Sequence, residues 1–293
     1  MRRTTLAVLA LCLAPLTLTG CKAAPRTLAQ ARAGEGRDAA IWSKRGGASL
    51  REGGRLALAE LSVEFVTSKN EMGESRQAAF IPPHPVFLAA NAAGVGRRDV
   101  EFDDDAYARI VSRIESALTT ELTSRGWSLI PPAQVASADA FTSFTALAPD
   151  EARDIRQINL AATDTGRVRT MRVYPAPGGR VISAPTGRAE SDARSALLDE
   201  LGVDALLRVV LRVGVYQGRA SLEEGSRMLL TTPGSDATLE ARRSLLSDMD
   251  VLGEDATDAQ LVVSERAYLA AIDNTAPVFI NAALDTLQRA GAR

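Results

Sequence analysis

Residues 204–216 constrain the fold more than any other part of the chain. One of the two faces of this segment consists only of apolar side chains, those of Leu207, Val209, Leu211, Val213 and Val215. Arg208 and Arg212 fall on the other face, because successive side chains of a strand point to opposite sides. This alternation predicts a long β-strand and is the strongest strand signal in the chain.

A second strand is predicted over residues 55–66. Leu61, Val63 and Phe65 share one face of its second half. Its first half is apolar at almost every position, which is typical of a strand that is buried on both faces. We also expect residues 127–130 to form a strand.

Helical periodicity is clearest in residues 103–126. The apolar residues of this segment recur at intervals of three and four positions: Tyr107, Ile110, Val111, Ile114, Leu118 and Leu122. The segment opens with Asp103, Asp104 and Asp105, which suit the capping and the positive end of a helix better than metal binding. Gly126 is expected to end the helix.

Weaker patterns predict the remaining helices. Helices are expected over residues 133–144 and 192–201. A C-terminal helix begins near Ser264 and is expected in two pieces, broken or kinked at Pro277. Residues 238–251 fit either a strand pair or a helix.

Two long segments, 67–102 and 151–188, lack a continuous regular pattern. Within the second, residues 167–174 and 180–182 flank a Pro and Gly-rich turn, which predicts a hairpin. Its four arginines are candidate partner-binding residues: Arg167, Arg169, Arg172 and Arg180. The alternative is that these arginines lie on an ordinary solvated strand face.

The N-terminus carries a separate signal. Arg2 and Arg3 precede a short apolar run, and residues 18–21 read Leu-Thr-Gly-Cys, which together predict a secretory signal peptide over residues 1–20. The run is shorter than the roughly 20 apolar residues needed to span a bilayer.

The Leu-Thr-Gly-Cys sequence resembles the lipobox of bacterial lipoproteins. The resemblance implies cleavage between Gly20 and Cys21 and attachment of fatty acyl chains, such as palmitate, to Cys21. Lys22 rather than aspartate after the cysteine implies transport to the outer membrane and a periplasmic orientation. The alternative, an ordinary cysteine after a cleaved signal, would leave Cys21 without a partner, because Cys12 departs with the signal peptide.

Residues 21–54 lack regular periodicity and predict a lipidated, flexible tether, followed by a single periplasmic domain over residues 55–293. Basic residues outnumber acidic residues in this segment. The tether could therefore either lie against anionic lipid headgroups or be a merely solvated linker.

Composition excludes several classes of function. A hydrophobic fraction of 46% indicates a globular domain, and a net charge of -2 argues against a nucleic acid partner. His84 is the sole histidine, so we expect neither a Cys/His zinc site nor a Cys-His dyad, and no cofactor.

The order of the predicted elements resembles a group of periplasmic lipoprotein domains. The motifs that carry the resemblance are Arg125-Gly126-Trp127 after a helix and Glu200-Leu201-Gly202-Val203-Asp204-Ala205 before a strand. The group contains the curli secretion-channel lipoprotein, the N-terminal domain of TolB and a lipoprotein activator of a penicillin-binding protein. It implies an α/β (α+β) fold, a mixed β-sheet with helices packed on its faces, and no catalysis.

The resemblance implies a non-enzymatic outer-membrane lipoprotein that presents its domain to envelope proteins in assembly, secretion or peptidoglycan synthesis. One alternative is an oligomeric secretion channel of the curli type, which requires a homo-oligomer. Another is an envelope hydrolase that uses carboxylates such as Glu64 and Asp204.

Overall fold

The computed structural model describes residues 25–33, 41–51, 53–70, 97–100, 102–147, 154–159, 167–182, 188–253 and 262–289. The predicted signal peptide, the cleavage site at Gly20 and Cys21, and His84 lie outside these residues. The described chain forms a mixed sheet with helices packed on both faces, which confirms the predicted fold class.

The strands are β1 (Arg26–Thr27), β2 (Trp42–Gly46), β3 (Gly54–Asn70), β4 (Arg97–Asp99), β5 (Trp127–Ile130), β6 (Ala146–Leu147), β7 (Asp154–Asn159), β8 (Arg167–Pro175), β9 (Val181–Ile182), β10 (Ala205–Tyr216), β11 (Arg219–Leu222), β12 (Arg227–Thr232), β13 (Ser235–Ala241) and β14 (Leu245–Asp250). The helices are α1 (Leu28–Ala33), α2 (Asp104–Ser124), α3 (Pro132–Val135), α4 (Arg188–Leu201) and α5 (Glu265–Gln288). A 3₁₀ turn spans Asp139–Ser143.

Strands β3 and β10 form the centre of the sheet and run parallel to each other. The other edge of β3 pairs first with β5, in parallel, and then with β8, antiparallel. The other edge of β10 pairs with β12 and then with β11, both antiparallel. Both central strands are therefore hydrogen-bonded to neighbouring strands along both edges.

After β10 the chain forms two long runs, β11–β12 and β13–β14, which pair antiparallel with each other. Each run is interrupted near its middle. Strands β11 and β12 are joined through residues 223–226, and β13 and β14 through residues 242–244. Strand β2 pairs antiparallel with β13, whereas β1 pairs in parallel with β14. The first described strands of the chain thus close this side of the sheet.

Helices α2 and α5 cover one face of the sheet, which we call the α2/α5 face. The odd-numbered apolar residues of β10 pack there against Ile110 and Ile114 of α2 and Phe279 and Ile280 of α5, all fully buried. Asp103 caps α2 by accepting a hydrogen bond from the Ala106 backbone nitrogen. The predicted helix and its aspartate cap are confirmed.

The opposite face, the α3/α4 face, is covered at one end by α3, the 3₁₀ turn and α4. Ala57 and Leu206 of the central strands pack there against Val135, Phe141 and Leu197. Beyond this apolar cluster the same face carries charged residues.

The predicted flexible tether over residues 21–54 is wrong for the residues of that range that the structure describes. Leu28, Ile41, Trp42 and Leu50 are buried in the main core. The Trp42 indole nitrogen donates to the Phe279 carbonyl at 3.0 Å. The strands of this segment have only two and five residues, which is too short to show periodicity. Its described residues nevertheless belong to the folded domain, beginning at β1.

The two segments predicted to be irregular contribute strands. Strand β3 extends to Asn70, and β4 pairs with its end; residues 71–96 lie outside the described residues. The predicted hairpin is wrong, because β8 pairs with β3 and β7 whereas β9 pairs with β6. Non-local pairing, which local turn chemistry cannot reveal, decides these partners.

Other predictions need smaller corrections. Helix α5 runs without interruption through Pro277 rather than in two pieces. The helix expected over residues 133–144 is reduced to α3 and the 3₁₀ turn. Residues 238–251 form strand rather than helix, within β13 and β14. None of the helices among the described residues is both long and apolar enough to cross a bilayer.

Candidate functional site

A row of charged side chains crosses the α3/α4 face of the two central strands. Glu60 and Glu64 of β3 stand in register with Arg208 and Arg212 of β10, and Arg227 of β12 joins them. We call these five residues the charged row. Equal spacing along two parallel strands brings each carboxylate beside a guanidinium.

The first pair of the row is almost completely enclosed. Arg208 Nε and Nη2 donate to Glu60 Oε2 at 3.1 and 3.0 Å, and Ser62 Oγ donates to Glu60 Oε1 at 3.0 Å. Arg208 Nη2 also donates to the Ile182 carbonyl at 3.2 Å. Burial raises the pKa of Glu60, and its pairing with Arg208 opposes that shift only in part.

The second pair reaches the edge of the buried region. Arg212 Nε and Nη2 donate to Glu64 Oε2 at 2.9 and 2.7 Å. Arg227 Nη2 approaches Glu64 Oε1 at 3.4 Å, and the Arg227 side chain is 53% exposed whereas that of Glu64 is 9% exposed. Glu64 is thus held between one buried and one exposed guanidinium.

Residues 223–226, between β11 and β12, shape the surroundings of Arg212. The Glu223 backbone nitrogen donates to the Arg212 carbonyl at 2.7 Å, and the Arg212 backbone nitrogen donates to Ser226 Oγ at 2.9 Å. Gly225 has a φ of +88°, and a Cβ atom there would lie 2.5 Å from Arg212 Nη1. The positive φ favours glycine at position 225, and a larger residue there would also have to displace the Arg212 guanidinium.

The two carboxylates of the hydrolase hypothesis do not share a site. Asp204 Oδ2 accepts a hydrogen bond from the Arg55 backbone nitrogen at 2.7 Å, at the beginning of β3. Glu64 lies farther along the same strand, roughly 30 Å from Arg55 at about 3.3 Å per residue. Paired carboxylates that act on one glycosidic bond lie about 5 to 9.5 Å apart. Glu64 and Asp204 therefore cannot act together on one bond.

An aromatic cluster lies on the α2/α5 face, around a cavity of about 10 Å³ lined by Phe65, Tyr107 and Tyr268 among others. That volume suits one water molecule at most. Tyr174 stacks on Tyr107 and donates its hydroxyl to Asp104 Oδ1 at 2.7 Å. Burial, with the adjacent Asp104 carboxylate, raises the pKa of Tyr174 to about 12. This cluster is core packing.

The four arginines predicted to bind a partner lie in β8 and in the segment that follows it. The Arg172 guanidinium carbon lies 5.8 Å from the centre of the Tyr107 ring, and Arg172 Nη1 lies 4.0 Å from Asp104 Oδ1. Arg167 and Arg169 belong to β8, and their side chains lie outside what the structure describes. Arg180 is exposed in the segment after β8.

Sequence reasoning identified Arg208 and Arg212 as a polar face and singled out Glu64, but it missed the charged row as a unit. The signal was available in the matching four-residue spacings of Glu60 and Glu64 and of Arg208 and Arg212. Recognising it required the parallel register of β3 and β10, which sequence alone does not give.

Among the residues that the structure describes, no group of three or more His, Cys, Asp or Glu side chains is arranged to hold a metal ion. No protein-family model, curated protein or solved structure matches the chain.

Proposed function

We propose that the chain is a non-enzymatic outer-membrane lipoprotein, anchored at the periplasmic face through acylated Cys21. Its mixed α/β domain binds other proteins of the cell envelope and supports assembly, secretion or peptidoglycan synthesis. The observation that carries this proposal is the Leu-Thr-Gly-Cys sequence after a short apolar run and two arginines.

The contacts of the charged row favour a structural role for its carboxylates over a hydrolytic one. A general base must be free to accept a proton, and a general acid must carry one to the substrate. Both Glu64 oxygens are instead directed at guanidinium groups, and Asp204 is occupied by the β3 backbone. These carboxylates serve to join strands.

Acylation is tested by growing cells that express the protein with radiolabelled palmitate. We expect label in the wild-type chain and none in a Cys21→Ser variant. Mass spectrometry of the mature N-terminus should show an acylated cysteine as residue one, and density-gradient fractionation should place the protein with outer membranes. An unmodified protein released into the medium would overturn the proposal.

Binding partners are tested by crosslinking in living cells, with the Cys21→Ser variant as the control for location. We expect specific crosslinks to envelope proteins that depend on the membrane anchor. A large detergent-resistant ring that conducts ions would support the oligomeric channel instead. Peptidoglycan or glycan hydrolysis abolished by Glu64→Gln, with the fold intact, would support the hydrolase.

A further inference from the structure

We propose that the end of the domain formed by β1, α1 and the bend between β13 and β14 lies against the surface of the membrane that holds Cys21. This inference rests on the proposed acylation and goes beyond it by fixing which face of the domain meets the lipid headgroups.

The distance from the anchor to the folded domain carries the inference. Only residues 22–25 separate Cys21 from Arg26, whose backbone nitrogen donates to the Ser244 carbonyl at 2.9 Å. A fully extended chain between Cys21 and Arg26 spans at most about 18 Å. A domain of about 250 residues is about 45 Å across, from a radius of gyration of about 18 Å. The connection is therefore too short to let every face of the domain reach the membrane surface.

The chemistry of this end suits phospholipid headgroups. Arg32 is exposed on α1, Arg243 is half-buried at the β13–β14 bend, and Arg242 beside it is exposed. Arg242 is paired with Glu240 at 2.9 Å. Arg26 and Glu224 both hydrogen-bond Ser244 through their backbone nitrogens and balance each other in charge, so Arg32 and Arg243 supply the excess positive charge. Guanidinium groups form strong hydrogen bonds to phosphate, and anionic leaflets attract basic side chains.

The orientation is tested with the acylated full-length mature protein on vesicles of phosphatidylethanolamine and phosphatidylglycerol that contain a headgroup nitroxide quencher. Because the Cys21 sulfur is alkylated, one introduced cysteine is the sole free thiol for a fluorophore. Ala29→Cys labels α1 close to the anchor. Pro233→Cys labels the exposed turn between β12 and β13, at the far end of β13. Quenching should be at least threefold greater at position 29; equal quenching would overturn the orientation.

Two further variants separate the contributions of chain length and charge. A Gly/Ser insertion of about 30 residues after Lys22 adds a reach of roughly 30 Å and should bring the two labels to similar quenching. Preferential quenching that survives the insertion would show that the short connection is not the cause. The role of charge is tested by the ratio of quenching at position 29 to quenching at position 233. This ratio should fall about twofold in the double variant Arg32→Glu, Arg243→Glu and should stay unchanged in the control double variant Arg180→Glu, Arg266→Glu. Equal effects of the two double variants would overturn the role of the basic end.

The proposed acylation and the orientation fail in distinguishable ways. If mass spectrometry finds no acyl chain on Cys21, the proposed function fails and the orientation fails with it. If the acylated protein binds vesicles but shows the same quenching at both positions, only the orientation is wrong.

Discussion

Arg212 and Glu64 face each other across neighbouring parallel strands, and Nε and Nη2 of the arginine bind the same carboxylate oxygen at 2.9 and 2.7 Å. Both side chains are close to fully buried, at 12% and 9% exposure. A buried ion pair of this kind contributes little net stability compared with apolar residues, but the loss of one partner leaves an uncompensated charge. The charged row is therefore sensitive to single substitutions.

Removal of a buried guanidinium should lower the free energy of unfolding much more than removal of the exposed one. Arg212→Ala should lower the free energy of unfolding by about 3 to 5 kcal/mol, because Glu64 stays buried without its main partner. Arg227→Ala removes a half-exposed arginine 3.4 Å from the same carboxylate and should cost less than about 1 kcal/mol. Urea unfolding of the mature Cys21→Ser chain provides the measurement, and equal losses would contradict the role given to Arg212.

Gly225 should tolerate alanine less well than another glycine with a similar backbone conformation. Gly225 and Gly234 have φ values of +88° and +76°, but a Cβ at 225 would meet Arg212 Nη1 at 2.5 Å and one at 234 meets nothing within 4 Å. Gly234→Ala should cost about 1 to 2 kcal/mol from backbone conformation alone. Gly225→Ala should cost at least about 1 kcal/mol more, because Arg212 must also move. Chemical denaturation of both variants tests this difference, and similar losses would disprove the close packing.

Stability should depend on pH through Glu60. Burial raises the pKa of Glu60 above its ordinary value of 4.5, so the native state holds this proton more tightly than the unfolded chain does. The stability that this proton contributes is fully present below the pKa of Glu60 in the unfolded chain. It is lost as the pH rises through the pKa of Glu60 in the folded protein. The unfolding free energy of the wild type should therefore fall relative to that of Glu60→Gln as the pH is raised from about 4 towards 8.

Equilibrium unfolding of both proteins across that pH range isolates Glu60, because the other titrating groups are common to the pair. A wild type that instead gains stability relative to Glu60→Gln with rising pH would show that Arg208 lowers the pKa of Glu60 more than burial raises it.

The central strands and α2 could be predicted because each has enough residues to show its own periodicity. An irregularity near the start of β3 hides part of that pattern: the register with β10 shifts between Leu207 and Arg208, so that Leu58 and Glu60 occupy successive pairs. The bulge at Ala59 moves the side chains on the α2/α5 face from the even positions Leu56 and Leu58 to the odd positions that begin at Leu61. The first half of the strand is apolar on both sides because Ala57 and Ala59 pack in the cluster of the α3/α4 face.

Elements defined by distant partners could not be predicted from local pattern. Strand β1 has two residues and pairs with β14, more than 200 residues away in the chain. Strand β8 joins the main sheet rather than forming a hairpin with the residues after it. In the candidate site, the sequence predicts that Arg208 and Arg212 share a polar face, but their partners follow from a register between strands that are remote in sequence.

Trp42 tests whether the segment predicted as a tether belongs to the folded domain. The Trp42 ring lies 4.7 Å from the Phe279 ring, the side chain is 3% exposed, and its indole nitrogen donates to the Phe279 carbonyl. Trp42→Ala should lower the free energy of unfolding by about 3 to 5 kcal/mol, since a large aromatic side chain leaves the core.

Arg45 provides the matched control, because it lies on the same strand β2 with an exposed side chain. Arg45→Ala should change stability by no more than about 0.5 kcal/mol. Urea unfolding followed by circular dichroism avoids the loss of the Trp42 fluorescence signal. If both substitutions leave the unfolding midpoint unchanged, residues 42–46 are a solvated linker after all, and only β1 and α1 of the segment predicted as a tether belong to the folded domain.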